Sequence, residues 1–276
     1  MEIGAYAMRH GSTENNSTGK YRGHLPLSLT PAGIQEAVEG GRFLSRLPVK
    51  PSWIISSDLP SAKQTAAICG RILGLKLMRP LRDLRGMDIG KFAGKSKEDV
   101  QAALEECFQH PEEKCGGGDK PREFDDRCAR VFQALFDAAS KSGKIPLIVC
   151  HGSNCVFLAK RAGELPEGSN YQEPPVDPGG LLKINETEAV PIFKVAEDSR
   201  PIPIYPADHQ AGMRVPKGGS SCASCEYLGP DYTSCTSRYF IAWNGSNILP
   251  TPADEFCSDW WEPKDNLAGG VSRRAS

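Results

Sequence analysis

Ala7-Met8-Arg9-His10-Gly11 and Ile148-Val149-Cys150-His151-Gly152 are two apolar stretches that end in the same His-Gly pair. Each stretch predicts a short β-strand with the histidine at its carboxyl end. In open α/β sheets, ligands bind at that edge. The glycine after each histidine permits a tight turn and a close approach of the backbone to an anion. The two stretches therefore predict a ligand site between two strand ends.

The segments around these stretches alternate between strand and helix patterns. Short apolar runs predict strands over residues 3–9, 53–55, 145–150 and 181–184. Apolar residues at helical spacing predict helices over residues 31–47, 62–73, 97–108 and 124–136. Thr30-Pro31 and Ser96 are typical residues for the start of a helix. This alternation predicts an α/β fold, a doubly wound and mostly parallel sheet flanked by helices.

Composition and charge exclude several classes of protein. The 276 residues include 33 Lys and Arg against 34 Asp and Glu, so we expect no nucleic-acid partner. No apolar run approaches the roughly 20 residues that cross a bilayer, so we expect no membrane contact. The start MEIGAYAMRHGS does not have the layout of a signal peptide. We therefore expect a soluble, cytoplasmic protein, whose oligomeric state the sequence leaves open.

The residue types at the two strand ends suit phosphoryl transfer. Arg9 offers a planar, permanently charged fork that matches phosphate oxygens. One histidine, His10 or His151, can attack phosphorus in line while the other groups neutralise the equatorial oxygens. Such a site needs no metal. A lone histidine is more often structural, but two histidines in the same context favour a catalytic interpretation.

Several motifs, in matching order and spacing, resemble the histidine phosphatase superfamily, also called the phosphoglycerate mutase-like family. The resemblance extends from residue 5 to about residue 190. Its motifs are Arg9-His10-Gly11-Ser12-Thr13, Tyr21-Arg22-Gly23, Leu29-Thr30-Pro31-Ala32-Gly33, Ser56-Ser57-Asp58-Leu59-Pro60-Ser61-Ala62-Lys63-Gln64-Thr65-Ala66 and Cys150-His151-Gly152. The stretch Asp88-Ile89-Gly90-Lys91-Phe92-Ala93-Gly94-Lys95 most resembles that of phosphatase-like, phage-type members.

The resemblance implies roles for individual residues and a small phosphorylated molecule as substrate. His10 would be the phosphorylated nucleophile, and Arg9 and His151 would complete the catalytic group. Backbone N–H groups near Gly152 would add donors for phosphate. The resemblance also implies further phosphate-binding positions, which are Asn16, Arg22, Gly152, Ser153 and residue 61. It implies no cofactor for this domain.

Two positions depart from the family pattern. Ser61 stands where the family has a second pocket arginine, and the loss of one preorganised donor typically costs about 100- to 1000-fold in rate. Gly86 stands where many members carry the acidic proton donor. The sequence offers substitutes without selecting one. For the arginine they are Lys63, Arg82 and Arg85, and for the acid they are Glu14, Asp83 and Asp88.

These features predict a phosphohydrolase that acts through phosphorylated His10. Without a strong acid, the site should favour good leaving groups such as phenolic, acyl or phosphoamidate groups. The alternative is a catalytically weak or inactive domain that binds phosphoryl ligands in a structural or docking role. We expect the segments Pro111–Pro121 and Leu165–Pro178 to be lids over the site.

The last third of the chain predicts a separate cysteine-rich module. Cys222, Cys225, Cys235 and Cys257 suit tetrahedral zinc or an iron–sulfur cluster, with a disulfide pair or free thiols as alternatives. The module would then be a metal or redox element. The remaining six cysteines are scattered through strand and helix patterns and are predicted to be plain thiols. The predicted boundaries are 1–197 for the phosphatase-like domain, 198–212 for a linker, 213–264 for the cysteine-rich module and 265–276 for a disordered tail.

Overall fold

The computed structural model of the chain describes residues 4–195 except 167, 168, 170 and 172. The predicted linker, cysteine-rich module and tail lie outside the described residues, and so do Cys222, Cys225, Cys235 and Cys257. Among the described cysteines, Cys69, Cys107, Cys115, Cys128, Cys150 and Cys155 are free thiols, as predicted. Within the described part of the chain, no helix is long and apolar enough to cross a membrane.

A five-stranded sheet forms the centre of the described part of the chain. Its strands are β1 (Ala5–Arg9), β2 (Trp53–Ser56), β3 (Pro146–Cys150), β4 (Leu181–Ile184) and β5 (Ala189–Phe193). They are arranged in the order β2-β3-β1-β4-β5. Strands β1, β2 and β3 are parallel, whereas β4 is antiparallel to β1 and β5 is antiparallel to β4. The predicted mostly parallel α/β fold is confirmed.

The register of the two central strands explains the placement of the histidines. Arg9 at the end of β1 pairs with Cys150 at the end of β3. His10 and His151 follow these paired residues, so they leave the sheet side by side. The backbone N–H of His10 also donates to the carbonyl of Cys150, at 3.0 Å.

Helices cover both faces of the sheet. They are α1 (Glu14–Ser17), α2 (Pro31–Arg46), α3 (Pro60–Leu73), α4 (Lys97–Gln109), α5 (Pro121–Ser142) and α6 (Gly152–Arg161). Short 3₁₀ turns lie at Arg82–Leu84, Gly90–Phe92 and Cys115–Gly117. The hydroxyl of Thr30 accepts from the N–H of Gly33, and that of Ser96 accepts from Asp99, so both predicted starts are true N-caps.

The apolar core consists of two layers, one on each face of the sheet. Alternate residues of each strand belong to different layers, as the strand period of two requires. Ala7 and Ile148 belong to the layer that contains Phe124 and Phe132 of α5. Met8, Leu147 and Val149 belong to the layer beneath α2 and α3, with Leu44, Ala66 and Cys69. Burial on both faces accounts for the continuous apolar run of β3.

Candidate active site

Two buried imidazoles lie at the carboxyl edge of the sheet. His10 is 4% exposed and His151 is 6% exposed. Their ring centroids are 5.0 Å apart, and the planes of the rings meet at 61°. The two predicted strand ends therefore build one site.

The hydrogen bonds of His10 determine which of its nitrogens carries the proton. Its Nδ1 lies 2.7 Å from the carbonyl oxygen of Gly11, and its Nε2 lies 2.8 Å from Nη1 of Arg22. A carbonyl only accepts and a guanidinium only donates, so Nδ1 is protonated and Nε2 presents its lone pair. Burial, followed by the charge of Arg22, holds the pKa of His10 well below 6.5. His10 is thus a neutral imidazole with a nucleophilic Nε2.

His151 is held in place by a hydroxyl and by a backbone contact. Its Nε2 lies 2.8 Å from the hydroxyl oxygen of Ser57, the residue after β2. Its backbone N–H donates to Oδ1 of Asn154 in the first turn of α6, at 3.1 Å. Burial, followed by the charge of Arg22, also holds the pKa of His151 well below 6.5.

Two arginines beside His10 have buried donors with no acceptor in the described part of the chain. The donors are Nε of Arg9 and both Nε and Nη2 of Arg22, and no partner for them exists among the described residues. Burial lowers the pKa of Arg22 to about 10, which leaves its guanidinium charged at neutral pH. Buried donors without acceptors are costly, and the oxygens of a bound anion would satisfy them. The site is therefore built to receive an oxyanion next to Nε2 of His10.

A cleft of about 540 Å³ opens onto this pair of histidines. Its lining includes most of the residues that the sequence predicted, namely Arg9, His10, Asn16, Arg22, His151, Gly152 and Ser153. Tyr21 of the motif and Tyr171, Glu173 and Asp177 of the predicted lid also line it, and so do Lys20, Lys97 and Phe108, which the sequence did not indicate as site residues. Lys20 directly precedes the motif Tyr21-Arg22-Gly23, and this position next to a motif residue of the site is a sequence signal that could have indicated Lys20.

The side-chain amide oxygen of Asn16 accepts hydrogen bonds from within the protein. Its Oδ1 accepts from the backbone N–H of Thr13 at 3.0 Å and from the hydroxyl of Thr13 at 2.8 Å. Because the oxygen is engaged, the amide NH₂ group is the part of Asn16 that can serve a ligand in the cleft.

The segment from Glu173 to Gly180 forms one wall of the cleft and is attached to β1. Nη1 of Arg9 donates to the carbonyl of Val176 at 2.9 Å, and the backbone of Arg9 exchanges hydrogen bonds with Gly179 and Gly180. A Cβ atom on Gly152 would lie 2.7 Å from Cγ of Pro174. The wall therefore packs directly on the turn after His151, and this contact requires a glycine at residue 152. The lid predicted over Leu165–Pro178 contributes this wall, whereas no residue of Pro111–Pro121 lines the cleft.

The structure does not bring the proposed substitutes for the missing arginine to the cleft. Lys63, Arg82 and Arg85 do not line it. Arg85 instead forms a bidentate pair with Asp58, in which both N···O distances are 2.7 Å. Ser61 does not line the cleft either, because it is fully buried behind Arg22.

The proposed acids are also absent from the lining. Glu14, Asp83 and Asp88 do not line the cleft, whereas Glu173 and Asp177 do. Gly86 lies in the lining next to the second histidine. A Cβ atom on Gly86 would lie 2.9 Å from Oγ of Ser153 and 3.1 Å from Cβ of His151. This backbone therefore leaves little room for an acidic side chain at residue 86.

Comparisons with known proteins show which family and which fold the chain resembles. The family model described as "Histidine phosphatase superfamily (branch 1)" matches residues 5–198. Phosphoglycerate mutase-like protein 4 of Arabidopsis thaliana is 30% identical over 161 residues, which are 56% of this chain and 69% of that protein. The probable phosphoglycerate mutase GpmB of Salmonella typhi is 29% identical over 153 residues, which are 53% of this chain and 68% of that protein.

Solved structures show the same fold at low identity. A mycobacterial glucosyl-3-phosphoglycerate phosphatase, solved with VO3, is 19% identical with a TM-score of 0.57, and the match covers 70% of this chain and 100% of that one. A putative alpha-ribazole-5'-P phosphatase from Escherichia coli is 22% identical with a TM-score of 0.54, covering 70% and 97%.

Proposed function

The chain belongs to the histidine phosphatase superfamily, and we propose that it is a phosphomonoesterase that acts through a phosphohistidine on His10. The observation that carries the proposal is the unprotonated Nε2 of His10 next to the unsatisfied donors of Arg9 and Arg22. A nucleophile and a set of preorganised cations then meet at one point, where a phosphoryl group can bind. The substrate is a small phosphorylated molecule.

The proposed reaction has two displacements at phosphorus. Nε2 of His10 attacks in line, the bond from phosphorus to the ester oxygen breaks, and the leaving group departs with that electron pair. Arg9 and Arg22 donate to the equatorial oxygens throughout. Water then attacks the phosphohistidine, which releases inorganic phosphate and returns Nε2 of His10 with its lone pair. Positioned donors of this kind supply the electrostatic stabilisation of both transition states.

We propose that the enzyme favours leaving groups that need no proton. Gly86 offers no carboxyl group next to His151, and the space at its α-carbon is taken by Ser153 and His151. Phenolates and carboxylates depart without a strong acid, and the basic nitrogen of a phosphoamidate can take its proton from water, whereas alkoxides do not depart in this way. The active site of the phosphatase domain would use no metal, because arginines supply the positive charge. Zinc or an iron–sulfur cluster in the cysteine-rich module stays a prediction from the sequence.

A second candidate function is phosphoryl-ligand binding without turnover. The observation in its favour is that Nη1 of Arg22 covers the lone pair of His10, while residue 86 lacks an acid. Such a domain would serve a docking or structural role. It would bind inorganic phosphate and hydrolyse no ester.

Steady-state hydrolysis of p-nitrophenyl phosphate by metal-free protein tests the proposal. We expect turnover in the presence of a chelator and a loss of at least about 1000-fold in His10→Ala. His110→Ala is the matched control, because His110 is exposed and does not line the cleft. Equal rates for His10→Ala and the wild type would contradict the proposal, and phosphate binding without turnover would favour the second candidate.

A further inference from the structure

Two aromatic side chains from distant segments of the chain meet in the lining of the cleft. Phe108 belongs to the last turn of α4, and Tyr171 belongs to the segment after α6. Their ring centroids are 5.4 Å apart, and the planes of the rings meet at 66°. Phe108 is half-buried, so its ring keeps surface that a ligand can cover. Neither ring has a role in the two displacements at phosphorus.

Apolar side chains extend this aromatic pair along the cleft. Leu104 lies four residues before Phe108, on the same face of α4, and it also lines the cleft. Met87, Ile89 and Pro174 line it as well. A cleft with this much hydrocarbon in its lining favours the apolar part of a ligand, while a few polar groups fix the ligand's orientation. Here the polar groups are those of the phosphate pocket.

The ring of Tyr171 is held in place from outside the cleft. Its hydroxyl donates to Oδ1 of Asp125 on α5. Phe124 contacts the ring edge to face, with centroids 5.2 Å apart, and Nζ of Lys160 lies 4.7 Å from the ring centroid. Because the hydroxyl is engaged by Asp125, Tyr171 offers a ligand its ring and not its hydroxyl. A ring fixed before the ligand arrives loses little entropy on binding.

The charged side chains of the cleft do not select a charged leaving group. Apart from Arg9 and Arg22, the charged residues among the described part of the lining are Lys20, Lys97, Glu173 and Asp177. They contribute two positive and two negative charges at neutral pH. A leaving group of either sign therefore gains little from their sum, and apolar contact has more influence on which leaving group binds.

We propose that the substrate is an aryl phosphate whose phosphoryl group binds at Arg9 and Arg22 and whose aromatic ring packs against Phe108 and Tyr171. This inference rests on the proposed function, because it names the substrate of the same site. Among the leaving groups that need no acid, a phenolic group always places a flat ring one oxygen away from phosphorus. The glycine at residue 86 and the aromatic pair thus favour the same chemistry independently.

Aromatic contact gives a flat ring an advantage over a saturated group of equal size. A third ring can stack on one member of the pair or meet it edge to face, which adds about 2- to 10-fold in affinity beyond the burial of apolar area. The cleft volume of about 540 Å³ is sufficient for such a ligand, since small-molecule sites typically measure roughly 300–1,000 Å³.

The first experiment compares phenyl phosphate with β-naphthyl phosphate on the full chain. The two leaving phenols have similar acidity, so the absence of an acid affects both esters equally. We expect kcat/KM of the wild type to be at least about 5-fold higher for the naphthyl ester, because its second ring covers more of the apolar lining. In Phe108→Ala this ratio should fall to about 2 or less.

Phe43→Ala is the matched control for Phe108→Ala. Phe43 is also half-buried and stacks on another ring, that of Phe193, but it does not line the cleft. The ratio of kcat/KM values should therefore stay at the wild-type level in Phe43→Ala. Phe108→Leu serves as a second variant if Phe108→Ala does not fold, because leucine keeps most of the apolar volume and removes only the aromatic ring.

Binding of non-hydrolysable phosphonates separates this inference from the proposed function, since binding requires no turnover. Benzylphosphonate and cyclohexylmethylphosphonate contain the same number of carbon atoms, but only the first has a flat aromatic ring. By calorimetric titration, we expect benzylphosphonate to bind at least about 3-fold more tightly than cyclohexylmethylphosphonate. It should bind at least about 10-fold more tightly than methylphosphonate. In Phe108→Leu the first of these ratios should approach one.

The outcomes distinguish failure of the inference from failure of the proposed function. If the wild type hydrolyses no ester but binds the phosphonates in this order, the proposed function fails and the aryl preference of the site is supported. The inference is overturned if no phosphonate binds, or if cyclohexylmethylphosphonate or methylphosphonate binds as tightly as benzylphosphonate. Equal kcat/KM values of the wild type for the two esters, or equal losses of the ratio in Phe108→Ala and Phe43→Ala, would also overturn it.

Discussion

The Nε2 atom of His151 lies 2.8 Å from the hydroxyl oxygen of Ser57, which is the first residue after β2. The backbone N–H of Ser57 donates to the carbonyl of Val149 in β3, at 2.9 Å. All three parallel strands therefore deliver a residue to the site at their carboxyl ends, with His10 after β1, Ser57 after β2 and His151 after β3. Ser57 fixes the orientation of His151 in the same way that Gly11 fixes that of His10.

Substitution of Ser57 should weaken catalysis without unfolding the protein. In Ser57→Ala, His151 loses its hydroxyl partner, and we expect kcat/KM for an aryl phosphate to fall about 2- to 10-fold. Ser56→Ala is the matched control, because the hydroxyl of Ser56 is buried with no partner among the described residues. That substitution should leave activity unchanged and stability equal or slightly higher. Equal kinetic effects of the two variants would contradict the role of Ser57.

The acidic limb of the pH profile should depend on Arg22. Burial and the charge of Arg22 hold the pKa of His10 well below 6.5, so the imidazole stays neutral and nucleophilic as the pH falls through that value. Removing the charge in Arg22→Gln raises the pKa of His10, and the acidic limb of kcat/KM should move to higher pH. The comparison uses one substrate, so the ionisation of the substrate is the same in both profiles. A limb at the same pH in Arg22→Gln and the wild type would contradict this prediction.

The turn after His10 should not tolerate a methyl group. A Cβ atom on Gly11 would lie 2.1 Å from the carbonyl oxygen of Gly33, and both groups belong to the backbone. We expect Gly11→Ala to destabilise the fold by about 1–3 kcal/mol or more, measured by urea unfolding. Gly143→Asn is the control, because Gly143 ends α5 with φ +66° and has open space at its Cβ position. A smaller loss in Gly11→Ala than in Gly143→Asn would be inconsistent with this close approach.

The nature of the leaving group should decide which esters are substrates. With Gly86 in place of an acid, kcat/KM should fall steeply as the pKa of the leaving alcohol rises, because the departing oxygen carries its negative charge without a proton. A series of substituted phenyl phosphates and one alkyl phosphate, assayed at concentrations below KM, measures that slope. Hydrolysis of the alkyl phosphate as fast as p-nitrophenyl phosphate would show that another group, such as Glu173, donates the proton.

Local sequence signals were sufficient to predict most of the fold. Strand β3 is a continuous apolar run, and the N-caps of α2 and α4 are short-range patterns that depend on a few adjacent residues. The sequence does not predict the edge strand β5, because this strand contains Pro191 and is half exposed, and both features weaken a strand pattern. The formation of an edge strand depends more on pairing with the neighbouring strand than on the edge strand's own sequence.

The parts of the site that depend on long-range contacts could not be predicted. In the motif, Ser61 indicates only that an arginine is absent. The structure shows that its hydroxyl accepts a hydrogen bond from Arg22, 39 residues earlier, and so helps to hold the Arg22 side chain. The candidate acids that the sequence offers lie close to the motifs along the chain, whereas Glu173 and Asp177 reach the cleft from the wall that Arg9 anchors. Proximity to a motif along the chain does not predict which residues line a site when a loop returns to the sheet from a distant element.

Direct detection of the phosphoenzyme tests whether His10 is the residue that carries the phosphoryl group. Metal-free protein is mixed with p-nitrophenyl phosphate, quenched at high pH within milliseconds to seconds, and the peptide that contains residue 10 is analysed by mass spectrometry. We expect one phosphoryl group on His10 that is stable in base, labile in acid and absent from His10→Ala. Continued turnover without phosphate on His10, or with phosphate on another residue, would contradict it.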